Sequence, residues 1–420
     1  MAHITRTRQV DLVRRSSAGE LLPPDLELNN FAVFCGSASM RTELAANAIA
    51  RYAGRVGIVV LLNNAGTMVD YLEQIPVRLN RPQLQVMADR QKRYDPLYGM
   101  SADVIVNLLA PKDPLNPLQQ GVNALRSALL AYLRIMDYQF SQGRGPFGDH
   151  PYNLNLLMQL TAMDYDQLER RVLRHMPQHI AGPIISQLNA AGMQQEVYSC
   201  VDSFASTMQE YLWQQADFQD HTRRSMIDAV TRGQIICLRV PHSHAPLLNY
   251  IDAELQVLSN RNIPFLLVNC GVDISAHPAM QSWFLDAHRD RGYYTAIVAD
   301  SISHVTLDAD QRSKLFSQYR QVFVFQCFSD EQAEPFCAQF GQYYREERER
   351  HVDQHRQPFH LFPSHQVGVT HRQVEEMNIR PNELRQLGNG LLLCGNAYQR
   401  PCLIRHFDNT GGIFNGVLLP

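Results

Sequence analysis

The alternation of apolar and polar positions is clearest between Phe31 and Met68. An apolar run, Phe31 to Phe34, ends at Cys35-Gly36, and a small, hydroxyl-rich stretch, Ser37 to Ser39, follows. From Met40 the period turns helical, with Leu44, Ala45, Ala48, Ile49 and Tyr52 recurring along one side, and a second apolar run covers Val56 to Leu62. Strands that are apolar at every position belong to a parallel sheet covered on both faces. The stretch therefore predicts strand, loop, helix, strand. That is the plan of a P-loop unit, in which loop N–H groups and the helix N-terminus hold phosphate.

Further along, 83–88 predicts a short strand, and Tyr94-Asp95-Pro96-Leu97 an extended piece or turn, because the residue before proline avoids the α region. Ser101 caps a predicted helix over 102–109. Asn63 to Gly66 reads as a turn at a strand's end, where an α/β sheet places its ligand. Pro111, Pro114 and Pro117 mark a boundary, and from about Asn116 to Thr231 the pattern is helical, with helices near 122–138, 152–162, 165–175, 179–191, 196–215 and 225–232. Strand candidates return at 235–240, 265–270, 294–299 and 322–326, separated by helical stretches at 245–260, 278–289 and 308–319. A long polar helix is expected from Asp330 to about His355, its charge run YREERERHVDQH reading as a solvated face. A helix near 371–387 and strands at 390–394 and 402–407 close the chain. Strands alternating with helices mean a mostly parallel sheet. The expected organisation is an N-terminal arm at 1–29, partly helical, then one α/β domain built from 30–115 and 232–420, with an all-α insertion at 116–231.

Composition narrows this only a little. A chain of 420 residues is long enough for two domains or one with a large insertion. With 45% hydrophobic residues, 19% charged and a net charge of −3, it has the make-up of a soluble globular protein and no general nucleic-acid-binding surface, which leaves a local basic lining open. Eight scattered cysteines without a C-x-x-C pattern suggest buried reduced thiols in a cytosolic protein. No apolar run reaches the ~20 residues of a membrane span. Arg6, Arg8, Arg14 and Arg15 are not followed by the apolar core of a signal peptide.

The loop has the right place and unusual residues. A P-loop reads G-x-x-x-x-G-K-[ST], and the best register is Cys35 to Thr42, CGSASMRT. The candidate nucleotide-binding positions are Cys35, Gly36, Ser37, Ala38, Ser39, Met40, Arg41 and Thr42. Of the motif's fixed positions only Thr42 matches. Met40 puts a long side chain where the turn needs glycine, and Arg41 offers a planar fork in place of a compact ammonium. The three lysines, Lys92, Lys112 and Lys314, never follow a glycine, so no Gly-Lys-Ser/Thr exists in the chain. Phosphoryl transfer also wants acids at the end of a second strand. The strand at 265–268 is followed by Asn269 and Cys270, while the strand at 296–299 ends in Asp300, kept as an alternative metal position. His242 and His244, and His351 and His355, have spacings a metal could use, but a polar loop and a solvated helix face are the favoured readings. A G-x-S-x-G nucleophile pattern is absent.

The order of parts resembles the type IV secretion coupling proteins, the TraD/TraG class within the FtsK/HerA group of RecA-like motors. VVLLNNAGTM stands where that family has an apolar strand and Asp-Pro-Lys-Gly, with Asn63, Asn64, Ala65 and Gly66 in those places. YDPLYGMSADVIVNLL is similar to its Tyr-Asn-Pro-Leu segment, VTRGQIICLRVP to the strand re-entering the nucleotide domain, and Asp300-Ser301-Ile302-Ser303-His304 to its Gln-Ser-x-x-Gln sensing motif. FSDEQAEPFCAQFGQYY and ELRQLGNGLLLCGN also match its pattern, so the resemblance spans about 30–407. It implies a RecA-like P-loop NTPase fold with a mostly parallel sheet and an inserted all-α domain. It also implies phosphate contacts at Ser37, Ala38, Ser39, Arg41 and Thr42, Mg²⁺ at Thr42 and Asn269, and sensing at Asp300 and His304, with Cys270 at the water-activating position. The family assembles as hexameric rings that couple ATP hydrolysis to moving DNA or protein into a secretion channel.

The altered positions point to a non-hydrolysing relative, a scaffold or adaptor in a type IV secretion or conjugation apparatus. It would be cytoplasmic, or held at the inner face of the membrane through homo- or hetero-oligomeric partners. No cofactor is then required, and ATP and Mg²⁺ enter only if the loop still holds phosphate. The alternative is an active DNA or protein translocation motor with non-standard loops, taking its acid from Asp300; a third reading is a nucleotide-binding regulator outside secretion.

Overall fold

A computed structural model of the chain describes residues 11–408 except 14, 18–20, 23–27, 64–65, 89–93, 113–119, 144–149, 212–224, 242–243, 287–291, 307, 341, 356–363 and 396–400. The strands are β1 (Asp11–Val13), β2 (Ser16–Ser17), β3 (Phe31–Phe34), β4 (Gly57–Leu62), β5 (Val86–Met87), β6 (Ile235–Arg239), β7 (Phe265–Cys270), β8 (Tyr293–Ala299), β9 (Gln321–Val324), β10 (Gln342–His355), β11 (Ser364–Met377), β12 (Leu391–Cys394), β13 (Cys402–Ile404) and β14 (Phe407–Asp408). The helices of the first half are α1 (Ala38–Ile49), α2 (Gly66–Arg78), α3 (Ala102–Leu109), α4 (Gln120–Ser141), α5 (Leu154–Thr161), α6 (Tyr165–His175), α7 (Gln178–Ala191), α8 (Gln194–Tyr211) and α9 (Met226–Thr231). Those of the second half are α10 (Ala245–Asn260), α11 (Pro278–Leu285), α12 (Ala309–Gln318), α13 (Asp330–Gln339) and α14 (Pro381–Arg385).

Ten strands form one sheet in the order β1-β13-β12-β9-β3-β8-β7-β4-β6-β5. From β9 to β5 every pairing is parallel. Only β12 runs against its neighbours. The block β9-β3-β8-β7-β4 has the strand order of the expected RecA-like fold: from β3 the chain crosses to β4, and β7 and β8 later fill the gap between them before β9 adds on the far side of β3. The carboxyl ends of these strands share one edge, which is where ligands sit in open α/β sheets.

The inner strands of the sheet are mainly apolar because each feeds two cores. In β4, Ile58, Val60 and Leu62 join one core with Leu44 and Ile49 of α1 and Leu72 of α2. Val59 and Leu61 join the other, with Leu247, Leu255 and Phe284 of α10 and α11. β7 splits the same way, Leu266 and Val268 on one side, Phe265 and Leu267 on the other. The second core continues without a break into the helical insertion through Leu129, Tyr132, Leu157 and Val172, so the insertion packs on one face of the sheet.

Three expectations are corrected. The segment before residue 30 is not merely an arm: β1 adds to the sheet beside β13, and β2 pairs with β14. The long polar helix is not formed. α13 stops at Gln339, and 342–355 pairs antiparallel with 364–377 as a two-stranded hairpin, so the helix expected from 371 shrinks to α14. His351 and His355 are therefore on a strand, where four residues span about 13 Å and not one helical turn. His242, Asn64 and Ala65 lie outside the described residues.

One buried polar cluster sits beneath α10. Glu254 is fully buried, and its Oε2 accepts a hydrogen bond of 2.9 Å from the Tyr94 hydroxyl, which lies 2.8 Å from that of Tyr250. Burial pushes the Glu254 carboxyl up to about 8. Among the described residues no helix is long and apolar enough to cross a membrane.

Candidate functional site

The candidate loop is shorter than its sequence register. β3 ends at Phe34, Ser37 caps α1 by accepting from the Met40 N–H at 3.3 Å, and the helix starts at Ala38. Met40, Arg41 and Thr42 are thus helical, and only Cys35, Gly36 and Ser37 connect strand to helix. The turn is made by two residues in the left-handed region, Cys35 at φ 60° and Gly36 at φ 69°. At Gly36 a side chain has no room, since a Cβ there would lie 2.5 Å from Cβ of Phe325. Cys35 holds the same conformation with a side chain, at a cost of about 1–2 kcal/mol that its packing must offset.

A phosphate cradle needs loop N–H groups pointing inward. Here the Cys35 N–H donates to the Ala299 carbonyl at 3.1 Å and the Gly36 N–H to the Gln326 carbonyl at 2.8 Å. The end of β8 and the segment just after β9 have taken both donors. The loop carbonyls are engaged as well. Arg41 folds back and donates through Nη1 to the Cys35 oxygen at 3.0 Å and the Gly36 oxygen at 2.5 Å. The turn therefore holds a cation of its own chain. Ser37, Ala38 and Ser39 are exposed at the start of α1, and Ser37 Oγ lies 3.2 Å from Ser39 Oγ.

Around this turn the strand ends bring chemistry together. Cys35 lies within the field of Arg41 and Asp300, and Cys270 within that of Arg41. The Cys327 thiol donates to Cys35 Sγ at 3.4 Å; this contact and burial push the Cys35 thiol up, away from reactive thiolate character. Burial pushes Cys270 up to about 12, with Arg41 pulling weakly the other way. Asp300, at the end of β8, is half exposed, and His304 Nδ1 lies 3.2 Å from its Oδ1, close enough for an ion pair though out of line for a hydrogen bond.

The positions assigned to Mg²⁺ are placed otherwise. Thr42 is buried. Asn269 is fully buried and closes its own turn, donating through Nδ2 to the Val272 carbonyl and accepting the Val272 N–H at Oδ1, both at 2.9 Å. Both ends of its amide are in use. Among the described residues no three His, Cys, Asp or Glu side chains gather in a way that could hold a metal ion. Phe325, Gln326 and Cys327, which follow β9 and shape the loop, are not among the candidate site residues of the sequence reading. Only the strand order, placing β9 directly beside β3, brings them in.

No protein-family model matches the chain, and no curated protein matches it. Solved structures similar to it include the bacterial conjugative coupling protein TrwBdeltaN70 in its unbound monoclinic form, with 11% identity, 99% of this chain and 92% of that chain covered, and a TM-score of 0.48. The plasmid coupling protein TrwB in complex with ADP and Mg²⁺ is 11% identical over 98% of this chain and 93% of that chain, with a TM-score of 0.46. VirB4 of Thermoanaerobacter pseudethanolicus is 9% identical over 89% of this chain and 88% of that chain, with a TM-score of 0.42. The fold of this chain rests on its own strand order and pairing.

Proposed function

We propose that the chain is a coupling-protein-like component of a type IV secretion or conjugative transfer apparatus, and that it works there as a non-hydrolysing scaffold or adaptor. The segment-by-segment resemblance over 30–407 supports the first part. One observation carries the second: the two N–H groups at the head of the loop are bonded to Ala299 and Gln326, while Arg41 fills the turn from its carbonyl side. A loop so arranged has turned two of its N–H groups away from any phosphate, and Arg41 holds it closed from behind. Asn269, bonded at both ends to Val272, supplies no metal position.

The second reading, an active motor with non-standard loops, is favoured by one feature. Asp300 directly follows β8, the strand beside β3, with its carboxylate half exposed and His304 next to it. Thermal unfolding with and without millimolar Mg²⁺-ATP, together with phosphate release, separates the two. A ligand at ~100 times its Kd adds about 2.7 kcal/mol. The scaffold reading expects no midpoint shift and no phosphate. A shift that Thr42→Ala or Arg41→Ala abolishes, with phosphate release that Asp300→Ala abolishes, establishes the motor instead.

A further inference from the structure

Away from the sheet edge, positive charge gathers in the helical insertion. A cleft with a cavity volume of about 580 Å³ opens between the end of α4 and one face of α6. Tyr138 and Gln139 line it from α4, and Gln167, Arg170, Arg171 and Arg174 from α6. The α6 positions follow helical spacing and share a face; Glu169 falls away from it, and Asp166, one turn before Arg170, borders it. None of the three arginines forms an ion pair with a carboxylate among the described residues. Arg170 bonds through Nε to the Asp166 carbonyl at 3.0 Å, and Arg171 reaches only Met163 Sδ at 3.9 Å. The helix dipole accounts for cations in the last turn, Arg174 and His175, but its effect fades beyond that turn. Arg170 and Arg171 lie further back. Arg170 and Arg174, four apart, repel one another along the helix. An anion seated between the guanidinium groups would offset that repulsion.

We propose that this cleft binds a nucleotide unit. Guanidinium forks match phosphate oxygens in pairs. Tyr138 offers a face on which a base stacks, and the amides of Gln139 and Gln167 can bond to a base edge. The volume falls within the ~300–1,000 Å³ of small-ligand sites. A free nucleotide and one unit of a single strand share this chemistry. The assignment is independent of how the sheet loop is read, since the two sites use different elements.

The test uses the full chain, a fluorescent ATP analogue and a short labelled oligothymidylate at ~50 mM salt, with inorganic pyrophosphate as competitor. Arg170→Gln/Arg174→Gln is expected to weaken binding about tenfold or more with an unchanged unfolding midpoint, while the charge-matched Arg78→Gln/Arg312→Gln leaves it as it was. Tyr138→Leu is expected to weaken both base-bearing probes and spare competition by pyrophosphate, a split that stands even if the double arginine variant fails to fold. Binding of the analogue with no preference for the strand identifies a free nucleotide. Strand binding whose salt slope falls by about 0.7 per lost contact identifies a nucleic acid. Failure of both probes to bind overturns the proposal, as does equal loss in the charge-matched control, or loss on Arg41→Ala in place of the cleft variants.

Discussion

Arg41 Nη1 lies 2.5 Å from the carbonyl oxygen of Gly36, five residues behind it in the chain. The same nitrogen reaches the Cys35 oxygen at 3.0 Å, so one guanidinium ties the carbonyl side of a two-residue left-handed turn. Hydrogen bonds to a charged donor contribute roughly 1.5–3 kcal/mol. Arg41→Ala is therefore expected to lower stability by about 1–3 kcal/mol in urea unfolding. Arg41→Lys should recover only part of it, because the more strongly hydrated ammonium on its flexible stem is less readily held against the two carbonyls. An unchanged midpoint in the alanine variant would mean the guanidinium does not hold the turn.

Gly36 is where the loop tolerates least. Gly36→Ala adds a Cβ 2.5 Å from that of Phe325 at φ 69°. Left-handed backbone costs about 1–2 kcal/mol and overpacking about 1–3 kcal/mol, so a loss of about 2–5 kcal/mol is expected. Part of this should be relieved on a Phe325→Ala background, giving a coupling energy in a double-mutant cycle. Strictly additive losses would show that the clash is absorbed elsewhere.

Glu254 makes stability depend on pH. Its carboxyl is raised from 4.5 to about 8 by burial, so the folded chain binds the proton more tightly than the unfolded one. The stability this contributes is fully present below about 4.5 and is lost as pH rises through about 8. Glu254→Gln keeps a neutral group beside Tyr94 and should flatten the fall in urea midpoint across that window. A wild-type profile as flat as the variant's would contradict a buried, protonated Glu254.

The hairpin of β10 and β11 forms a sheet of its own, closed at its base by Gln342 opposite Met377. Just outside that base, Asn378 Nδ2 donates to the Phe340 carbonyl at 2.7 Å. Replacing 343–376 by a short turn, which keeps Met377 packed against the core, should leave the body folded, with a melting midpoint within about 2 °C of the parent. A large fall would reveal packing between hairpin and body.

These elements also show how far the sequence could be read. The bounds of β7 follow from one apolar run. Those of α6 follow from Asp164 as cap and an apolar spacing. The hairpin was misread because Glu- and Arg-rich segments favour helix locally, whereas its strand character comes from pairing with a segment beyond the turn. The site divides in the same way. Strand, loop and helix are legible at 31–49, and so is the oddity of Met40 and Arg41. The fate of the loop's N–H groups is not, because their acceptors, Ala299 and Gln326, arrive from segments far along the chain.

β4 lies between β7 and β6, and both are made after the helical insertion. As the chain leaves the ribosome, the six-residue run GIVVLL emerges with neither edge covered. It must wait while the insertion is synthesised, since Val86 and Ile235, side by side in the sheet, are joined only through it. An open apolar strand of this kind invites pairing between chains. How fast the insertion compacts thus sets how long each nascent chain is exposed to aggregation. Slower translation beyond residue 235 should lower the soluble yield, and a holding chaperone should restore it.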